Sequence, residues 1–282
     1  MQNIQTEDQS HIKNIVKNSA SSFYWGMNIL ENKKKRAMFA IYAFCRIVDD
    51  IADSNLSIRQ KKKMLSQWKR NINLIYKNIT SDKITRELLV AVSLFDLNKK
   101  DFHSIINGMN KDSDKKIIYP SLRELEGYCD EVAGAVGCLS VSIFGIPNQK
   151  IARDYAISLG RALQFTNILR DLWEDCERGR CYINREIILS EKLQDLKPIE
   201  LLESTRFSFV FQKFLKQTLM YYKKVETLGK KIDKKKILAA EIMKSIYFEI
   251  LKKINIDVIK NKKKVKVGIY KKFFLILKEI LR

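Results

Sequence analysis

The sequence predicts an almost entirely α-helical protein. Apolar residues recur mostly every three or four positions along the 282 residues, which is the period of a helix rather than of a strand. Ten glycines and three prolines are too few for a turn-rich β protein. No segment has the composition of a linker, so we expect a single domain over residues 1–282, long enough to bury a sizeable core.

The predicted helices follow one another with short connections, after a polar loose arm over residues 1–11. Ser121 is a predicted N-cap because Glu124 follows three residues later, the spacing of a capping box. Asn148 is the predicted N-cap of the next helix, after Gly145 and Pro147. The helices are expected over residues 12–30, 33–53, 58–77, 85–95, 100–109, 122–144, 149–175, 198–230 and 234–254.

Two rows of polar side chains interrupt the apolar pattern. Each row has helical spacing, so all its members lie on one face of one helix. The first acidic row, at i, i+4, i+7 and i+11, consists of Tyr42, Arg46, Asp49 and Asp53. The second acidic row, at i, i+3, i+7 and i+11, consists of Gln164, Asn167, Asp171 and Asp175.

Carboxylates at this spacing are suited to holding divalent cations. Two carboxylates four residues apart present oxygen atoms about 6 Å apart on the helix surface. Mg²⁺ takes one or two carboxylates together with phosphate oxygens, so two such rows indicate a clamp for a diphosphate. Arg46, Arg170, Arg178 and Arg180 lie near the rows and can add phosphate contacts. The alternative, acids at solvated helix ends, is disfavoured because the pattern occurs twice.

The segment between the rows, residues 128–137, is compatible with a helix but contains two glycines. Small side chains at Ala133, Gly134 and Gly137 leave room for a long apolar ligand, or alternatively permit close packing of two helices. The sequence leaves both interpretations open.

The formal charge of +21 indicates anionic partners: a membrane surface, nucleic acid or phosphorylated substrates. The alternative is a bias toward lysine on solvated faces. No aromatic-studded basic groove or known module is found, so no nucleic-acid partner is expected. No apolar run reaches the length of a membrane span. Five scattered cysteines without a secretory signal favour reduced thiols and a cytoplasmic location.

Four motifs, in order, resemble those of the squalene/phytoene synthase family. They are SSFY at 21–24, YAFCRIVDDIAD at 42–53, YCDEVAGAVG at 128–137 and LQFTNILRDLWED at 163–175. The resemblance implies an all-α isoprenoid synthase fold, a helical bundle around a central cavity. It also implies head-to-head condensation of two prenyl diphosphates with Mg²⁺. Within the family the chain looks most like the presqualene diphosphate synthases of bacterial hopanoid pathways, which implies farnesyl diphosphate as substrate.

The resemblance also implies roles for individual residues. Two or three Mg²⁺ ions are expected on Asp49, Asp53, Asn167, Asp171 and Asp175. The expected catalytic residues are the four aspartates of that set together with Tyr42 and Tyr128. The expected substrate-binding residues are Ser22, Phe23, Arg46, Gln164, Asn167, Arg170, Arg180, Tyr182 and Tyr247.

Several alternatives stay open within this interpretation. A phytoene, dehydrosqualene or squalene synthase would continue past presqualene diphosphate, and NADPH, which squalene synthase uses, is not expected here. A relative of the same fold could also be a non-catalytic scaffold. Residues 262–282 form a basic amphipathic segment, either a last core helix or a contact with the anionic inner membrane. Downstream isoprenoid enzymes are the expected protein partners.

Overall fold

The computed structural model describes residues 2–19, 23–114 and 117–282. These residues form sixteen α-helices and one π-helical turn, without a strand. The elements are α1 (Gln2–Asn18), α2 (Phe23–Asn28), α3 (Asn32–Asp53), α4 (Ile58–Ile75), α5 (Lys83–Phe95), α6 (Lys99–Asp114), α7 (Leu122–Cys129), the π turn (Asp130–Gly134), α8 (Ala135–Phe144), α9 (Gln149–Arg170), α10 (Leu172–Glu177), α11 (Arg185–Ser190), α12 (Pro198–Glu203), α13 (Phe207–Gly229), α14 (Lys234–Lys253), α15 (Ile256–Lys260) and α16 (Ile269–Leu281).

The predicted bounds of α3, α4, α5 and α14 agree with the structure to within two residues at each end. Both predicted N-caps are confirmed. The Ser121 hydroxyl accepts from the backbone N–H of Glu124, whose carboxylate accepts in return from the N–H of Ser121. The Asn148 side chain accepts from the backbone N–H of Ile151.

The expected loose arm over residues 1–11 is wrong, because α1 occupies this region. Asp8, Ile12 and Val16 are spaced by four residues and are all buried on one face of α1. Both carboxylate oxygens of Asp8 accept from the Arg86 guanidinium, at 2.7 and 2.8 Å. This polar sequence is therefore held as a helix by one narrow apolar edge and by the ion pair between the buried Asp8 and the more exposed Arg86.

Three other predicted helices are divided in the structure. The helix predicted over 12–30 ends at Asn18, and α2 begins at Phe23. The helix predicted over 198–230 separates into α12 and α13, because the extended backbone of Ser204 ends α12. The helix predicted over 149–175 ends at Arg170, and α10 follows after Asp171.

The helix predicted over 122–144 is continuous but widens into the π turn. Asp130, the first residue of that turn, accepts two hydrogen bonds from Arg161 at 2.6 and 2.7 Å. A π turn shifts the register of the residues around it and commonly lies at a functional site. Here the turn begins two residues after Tyr128.

Helix α9 is the centre of the fold. It packs against α8, α13, α14 and the π turn, and the two apolar clusters of the protein meet along it. At Gly160 a β-carbon would lie 2.6 Å from the backbone nitrogen of Gly134. At Gly137 a β-carbon would lie 2.9 Å from the carbonyl oxygen of Ala156. These contacts require bare backbone, so the small residues serve close helix packing.

Candidate active site

A cavity of about 710 Å³ lies between α2, α3, α6, α9 and α14. Every predicted site residue that the structure describes lines this cavity, whereas Ser22 lies outside the described residues. The wall also includes Ala133, Val136 and Gly137. Gly137 therefore both packs closely against α9 and borders the cavity, whereas Gly134 packs against Gly160 and is not among the lining residues. The predicted site residues on the wall are Phe23, Tyr42, Arg46, Asp49, Asp53, Tyr128, Gln164, Asn167, Arg170, Asp171, Asp175, Arg180, Tyr182 and Tyr247.

The first acidic row lies on the C-terminal half of the unbroken helix α3. Arg46 is shared between Asp49, at 3.5 Å, and the outward-facing Asp50, at 2.8 Å. Partial burial, and then the negative charge of Asp53, raise the pKa of Asp49 to about 6 despite Arg46. This carboxylate is therefore short of positive charge, which a bound cation would supply.

The second acidic row spans the break between α9 and α10. Arg170 binds the neighbouring Asp171 through two nitrogens, at 2.8 and 2.5 Å. Burial raises the pKa of Asp175 to about 6, although Arg180 lies 3.5 Å away. The Tyr247 hydroxyl contacts Arg170, which connects the row to α14.

A short β-bridge fixes the segment that follows α10. Ile118 pairs with Cys181, and the Cys181 N–H donates to the carbonyl of Ile117 at 2.8 Å. The bridge places Arg180 and Tyr182 on the cavity wall. Arg180 is close enough to Asp53 and Asp175 to interact electrostatically with both acidic rows.

Two tyrosines share one partly buried carboxylate beside the rows. The hydroxyls of Tyr128 and Tyr182 donate to the two oxygens of Asp112, at 3.0 and 3.2 Å, and their rings stack at 5.3 Å. Burial raises the pKa of Asp112 to about 7, against the opposing effect of the Tyr128 hydrogen bond and Arg180. Burial, followed by the charge of Asp112, raises the pKa of Tyr128 well above its usual range. Tyr128 is therefore protonated at neutral pH.

Asp112 was not predicted from the sequence. Helix α6 was expected to end at Met109, which would have left Asp112 in a lysine-rich loop. The structure continues α6 to Asp114. No signal for a longer α6 is present in the sequence, because residues 110–116 contain no apolar side chain that would continue the helical pattern.

The other end of the cavity is aromatic and apolar. Phe23 lies between Tyr42 and Tyr247, with ring centroids at 6.3 and 6.0 Å. Beyond these rings the wall contains no charged side chain among the described lining residues. It consists mainly of Met27, Leu30, Met38, Ile41, Val141, Phe144, Ala239, Ala240 and Met243.

The donor atoms of the polar end fit an ion shared with a substrate. Among the residues that the structure describes, no three acidic, imidazole or thiol side chains are close enough to hold a metal by themselves. Mg²⁺ commonly takes one or two carboxylates and completes its shell with phosphate oxygens and water. The Oδ1 atom of Asn167 is buried and has no hydrogen-bond partner, so it is a spare oxygen ligand on the cavity wall.

Several known proteins of one family are similar to this chain. The profile of the squalene/phytoene synthase family matches residues 16–261. The presqualene diphosphate synthase of Zymomonas mobilis is 40% identical over 251 residues, covering 88% of this chain and 84% of the relative. The presqualene diphosphate synthase of Rhodopseudomonas palustris is 36% identical over 231 residues, covering 82% of each. A crystal structure of a dehydrosqualene synthase superposes with a TM-score of 0.82 at 26% identity, covering 98% of this chain and 96% of that one.

The chain belongs to the squalene/phytoene synthase family. Its fold is the isoprenoid synthase fold, as the resemblance implied. Members of this family are prenyltransferases that generally use a divalent metal ion.

Proposed function

We propose that the protein is a farnesyltransferase that joins two farnesyl diphosphates head to head, 1′ to 1, and releases one diphosphate. The product is presqualene diphosphate. The observation that carries this proposal is a single cavity with two acidic rows at one end and apolar walls at the other. Such a cavity fits a molecule with a diphosphate head and a long hydrocarbon tail. Relatives at 34–40% identity are named presqualene diphosphate synthases.

The polar end would hold two or three Mg²⁺ ions through the carboxylates of the two rows and Asn167 Oδ1. When bound, Mg²⁺ supplies Lewis-acid neutralisation that makes diphosphate a good leaving group. The ligands proposed are Asp49, Asp53, Asn167, Asp171 and Asp175.

Arginines of the cavity wall would hold the diphosphate groups. Arg46 divides its contacts between two aspartates, so a phosphate oxygen can replace the weaker one at 3.5 Å. The buried Nε of Arg180 has no hydrogen-bond partner and is available to an anion. Arg170 can bridge Asp171 and a phosphate, and Gln164 adds an amide beside Asn167, 3.2 Å away.

The aromatic residues would protect the cationic stage of the reaction. Loss of diphosphate from the donor leaves an allylic cation at C1, whose charge the ring faces of Phe23, Tyr42 and Tyr247 can stabilise. The C2–C3 double bond of the acceptor attacks that carbon. The apolar walls exclude water, which would otherwise capture the cation as farnesol.

Closure of the cyclopropane requires loss of one proton from the coupled intermediate. Tyr128 is protonated and donates to Asp112, so it cannot act alone as a phenolate base. We assign a relay in which the Tyr128 oxygen accepts the substrate proton and passes its own to Asp112 Oδ2. Tyr182 holds the other oxygen of Asp112 and fixes the orientation of the carboxyl group.

The test is to incubate purified protein with farnesyl diphosphate and Mg²⁺, with and without NADPH, and to identify products by mass. Presqualene diphosphate in both conditions is expected. Squalene formed with NADPH, or a polyene formed without it, would transfer the function to a squalene, dehydrosqualene or phytoene synthase. No turnover with farnesyl or geranylgeranyl diphosphate would support a scaffold function instead. NADPH is not an expected cofactor.

The apolar product and the net positive charge of the chain support a proposal for its location in the cell. None of the helices the structure describes is long and apolar enough to cross a membrane. We propose that residues 1–282 form one cytoplasmic domain, with peripheral contact to the anionic inner membrane through residues 262–282. Downstream isoprenoid enzymes would receive the product there.

A further inference from the structure

Helix α16 has two apolar faces, of which the protein covers one. Leu275, Ile276 and Glu279 are buried against α14. Glu279 accepts a hydrogen bond from Ser245 at 2.6 Å, so the carboxylate of this helix points inward. The opposite face is uncovered in the protein, apart from the side of the Phe273 ring that meets Trp25. It consists of Ile269, Tyr270, Phe273, Phe274, Leu277, Ile280 and Leu281.

The uncovered face is wide and continuous. At ~100° per residue its seven members occupy a sector of about 140° around the helix axis, without a polar residue inside the sector. Tyr270 is 89% exposed and Phe274 is 59% exposed. Single exposed apolar residues are ordinary, but a contiguous apolar face of this size marks a binding surface.

The charge around this face is positive. Residues 260–282 contain nine lysines and arginines and one carboxylate, the inward-pointing Glu279. Lys271 and Lys278 lie at the edge of the apolar sector, and Lys271 is 5.4 Å from the ring centre of Phe274. Lys263, Lys266 and Lys278 have no carboxylate partner among the residues the structure describes. An apolar sector bordered by lysines is complementary to the boundary between acyl chains and anionic head groups.

We infer that the uncovered face of α16 is the surface that inserts into an anionic lipid bilayer, with the helix axis in the plane of the membrane. This inference deepens the membrane contact proposed above and rests on it. A second copy of the chain is a poorer occupant, because a symmetric contact would place the same lysines against each other.

The insertion surface is adjacent to the apolar end of the cavity. The Phe273 ring packs edge-on against Trp25 of α2, with centroids 5.2 Å apart. On the same short helix, Phe23, Gly26 and Met27 line the cavity. Docking through α16 therefore places α2 between the bilayer and the hydrocarbon end of the cavity, where an apolar product would leave.

The test is flotation of the full chain with vesicles of phosphatidylcholine alone or mixed with phosphatidylglycerol. The test variant combines Tyr270→Ser, Phe274→Ser and Leu277→Ser, and leaves Phe273 in contact with Trp25. Wild type is expected to bind the anionic vesicles ~10-fold better than the neutral ones, and the test variant to lose binding ~10-fold or more. The matched control combines the similarly exposed Ile79→Ser, Phe209→Ser and Met220→Ser, and its binding should stay within ~2-fold of wild type.

Three results would overturn the inference. They are unchanged binding by the test variant, equal binding of wild type to neutral vesicles, or self-association that the test variant abolishes without any vesicle binding. Circular dichroism and turnover of farnesyl diphosphate without vesicles show that the variants are folded. An inactive wild type that still binds vesicles through α16 would count against the proposed reaction and leave this inference standing.

Discussion

The first acidic row lies on one continuous helix, whereas the second spans the break between α9 and α10. The rows also differ in how their charge is balanced. Asp171 is bound through two nitrogens by Arg170. Asp49 has a weaker contact, at 3.5 Å, with an arginine that Asp50 also binds.

The difference shows two ways to keep carboxylates beside one another in an apolar bundle. The α3 row relies on partial exposure to solvent, since the side chain of Asp49 is 45% exposed. The second row is more buried. Its negative charge is balanced by Arg170 on α9 and by Arg180 in the segment after α10. We expect the α3 row to depend more on bound metal for its charge balance and the second row to depend more on its packing.

Removal of one carboxylate from either row should have the largest effect. Asp49→Asn and Asp171→Asn should each lower turnover of farnesyl diphosphate by about 10²–10³-fold or more, because each removes a proposed metal ligand where negative charge leaves the substrate. Steady-state kinetics at several Mg²⁺ concentrations measure this. The matched control is Asp50→Asn, since Asp50 neighbours Asp49 but faces outward and does not line the cavity. The control should stay within ~5-fold of wild type, and wild-type turnover in either row variant would contradict the clamp.

The partly buried Asp112 should give the next largest effect. Asp112→Asn removes the proposed final proton acceptor and should lower turnover by about 10²-fold. Burial raises the pKa of Asp112 to about 7, so the carboxyl is ionised above that pH. The wild-type rate should therefore fall as the pH drops below about 7, and the variant should lack the step near pH 7, keeping only the loss at lower pH from protonation of Asp49 and Asp175. A variant with the wild-type pH profile would remove Asp112 from the relay.

The same Asp112→Asn variant should lose activity but gain stability relative to wild type as the pH rises. In the folded protein Asp112 keeps its proton up to about pH 7, whereas in the unfolded chain it loses the proton near pH 4. Proton binding therefore favours the folded state below pH 4, and that contribution is lost as the pH rises to 7. Asp112→Asn does not titrate, so its free energy of unfolding should improve relative to wild type by on the order of 2–4 kcal/mol between pH 4 and 8. Urea titrations at the two pH values measure the change, and an unchanged difference would show that Asp112 ionises normally.

The sequence predicted the helices that follow their apolar period closely, such as α3 and α14. It also predicted the first row on one face of α3, because helical spacing identifies such residues without knowledge of the fold. The single helix predicted for the second row is wrong, since α9 ends at Arg170, although all four members still line the cavity. The resemblance to a known family added Tyr128, Tyr182 and Tyr247, which lie on other elements and share no spacing with the rows.

The missed features depend on contacts between distant segments. Helix α1 is ordered by Arg86, 78 residues from its partner Asp8. Asp112 joins the site through hydroxyls of Tyr128 and Tyr182, on two separate segments. The break at Asp171 has no glycine or proline beside it that would mark a helix end in the sequence. The local sequence pattern carries no information about these contacts, and tertiary packing overrides local helix propensity.

The packing of the second row can be tested without changing a proposed ligand, at Gly160 of α9, which borders the cavity. Gly160→Ala places a β-carbon 2.6 Å from the Gly134 nitrogen and 2.8 Å from the Ala133 carbonyl carbon, so α9 and the π turn must separate. The change should cost about 1–3 kcal/mol in the free energy of unfolding.

The matched control is another helical glycine, Gly127, where an added β-carbon meets nothing within 4 Å. Gly127→Ala should instead stabilise α7, by up to ~1 kcal/mol, because alanine restricts the unfolded chain and favours helix. Thermal unfolding distinguishes the two. If Gly160→Ala is as stable as wild type, α9 is not held against the π turn by backbone contact, and the second row would then be no more dependent on packing than the first.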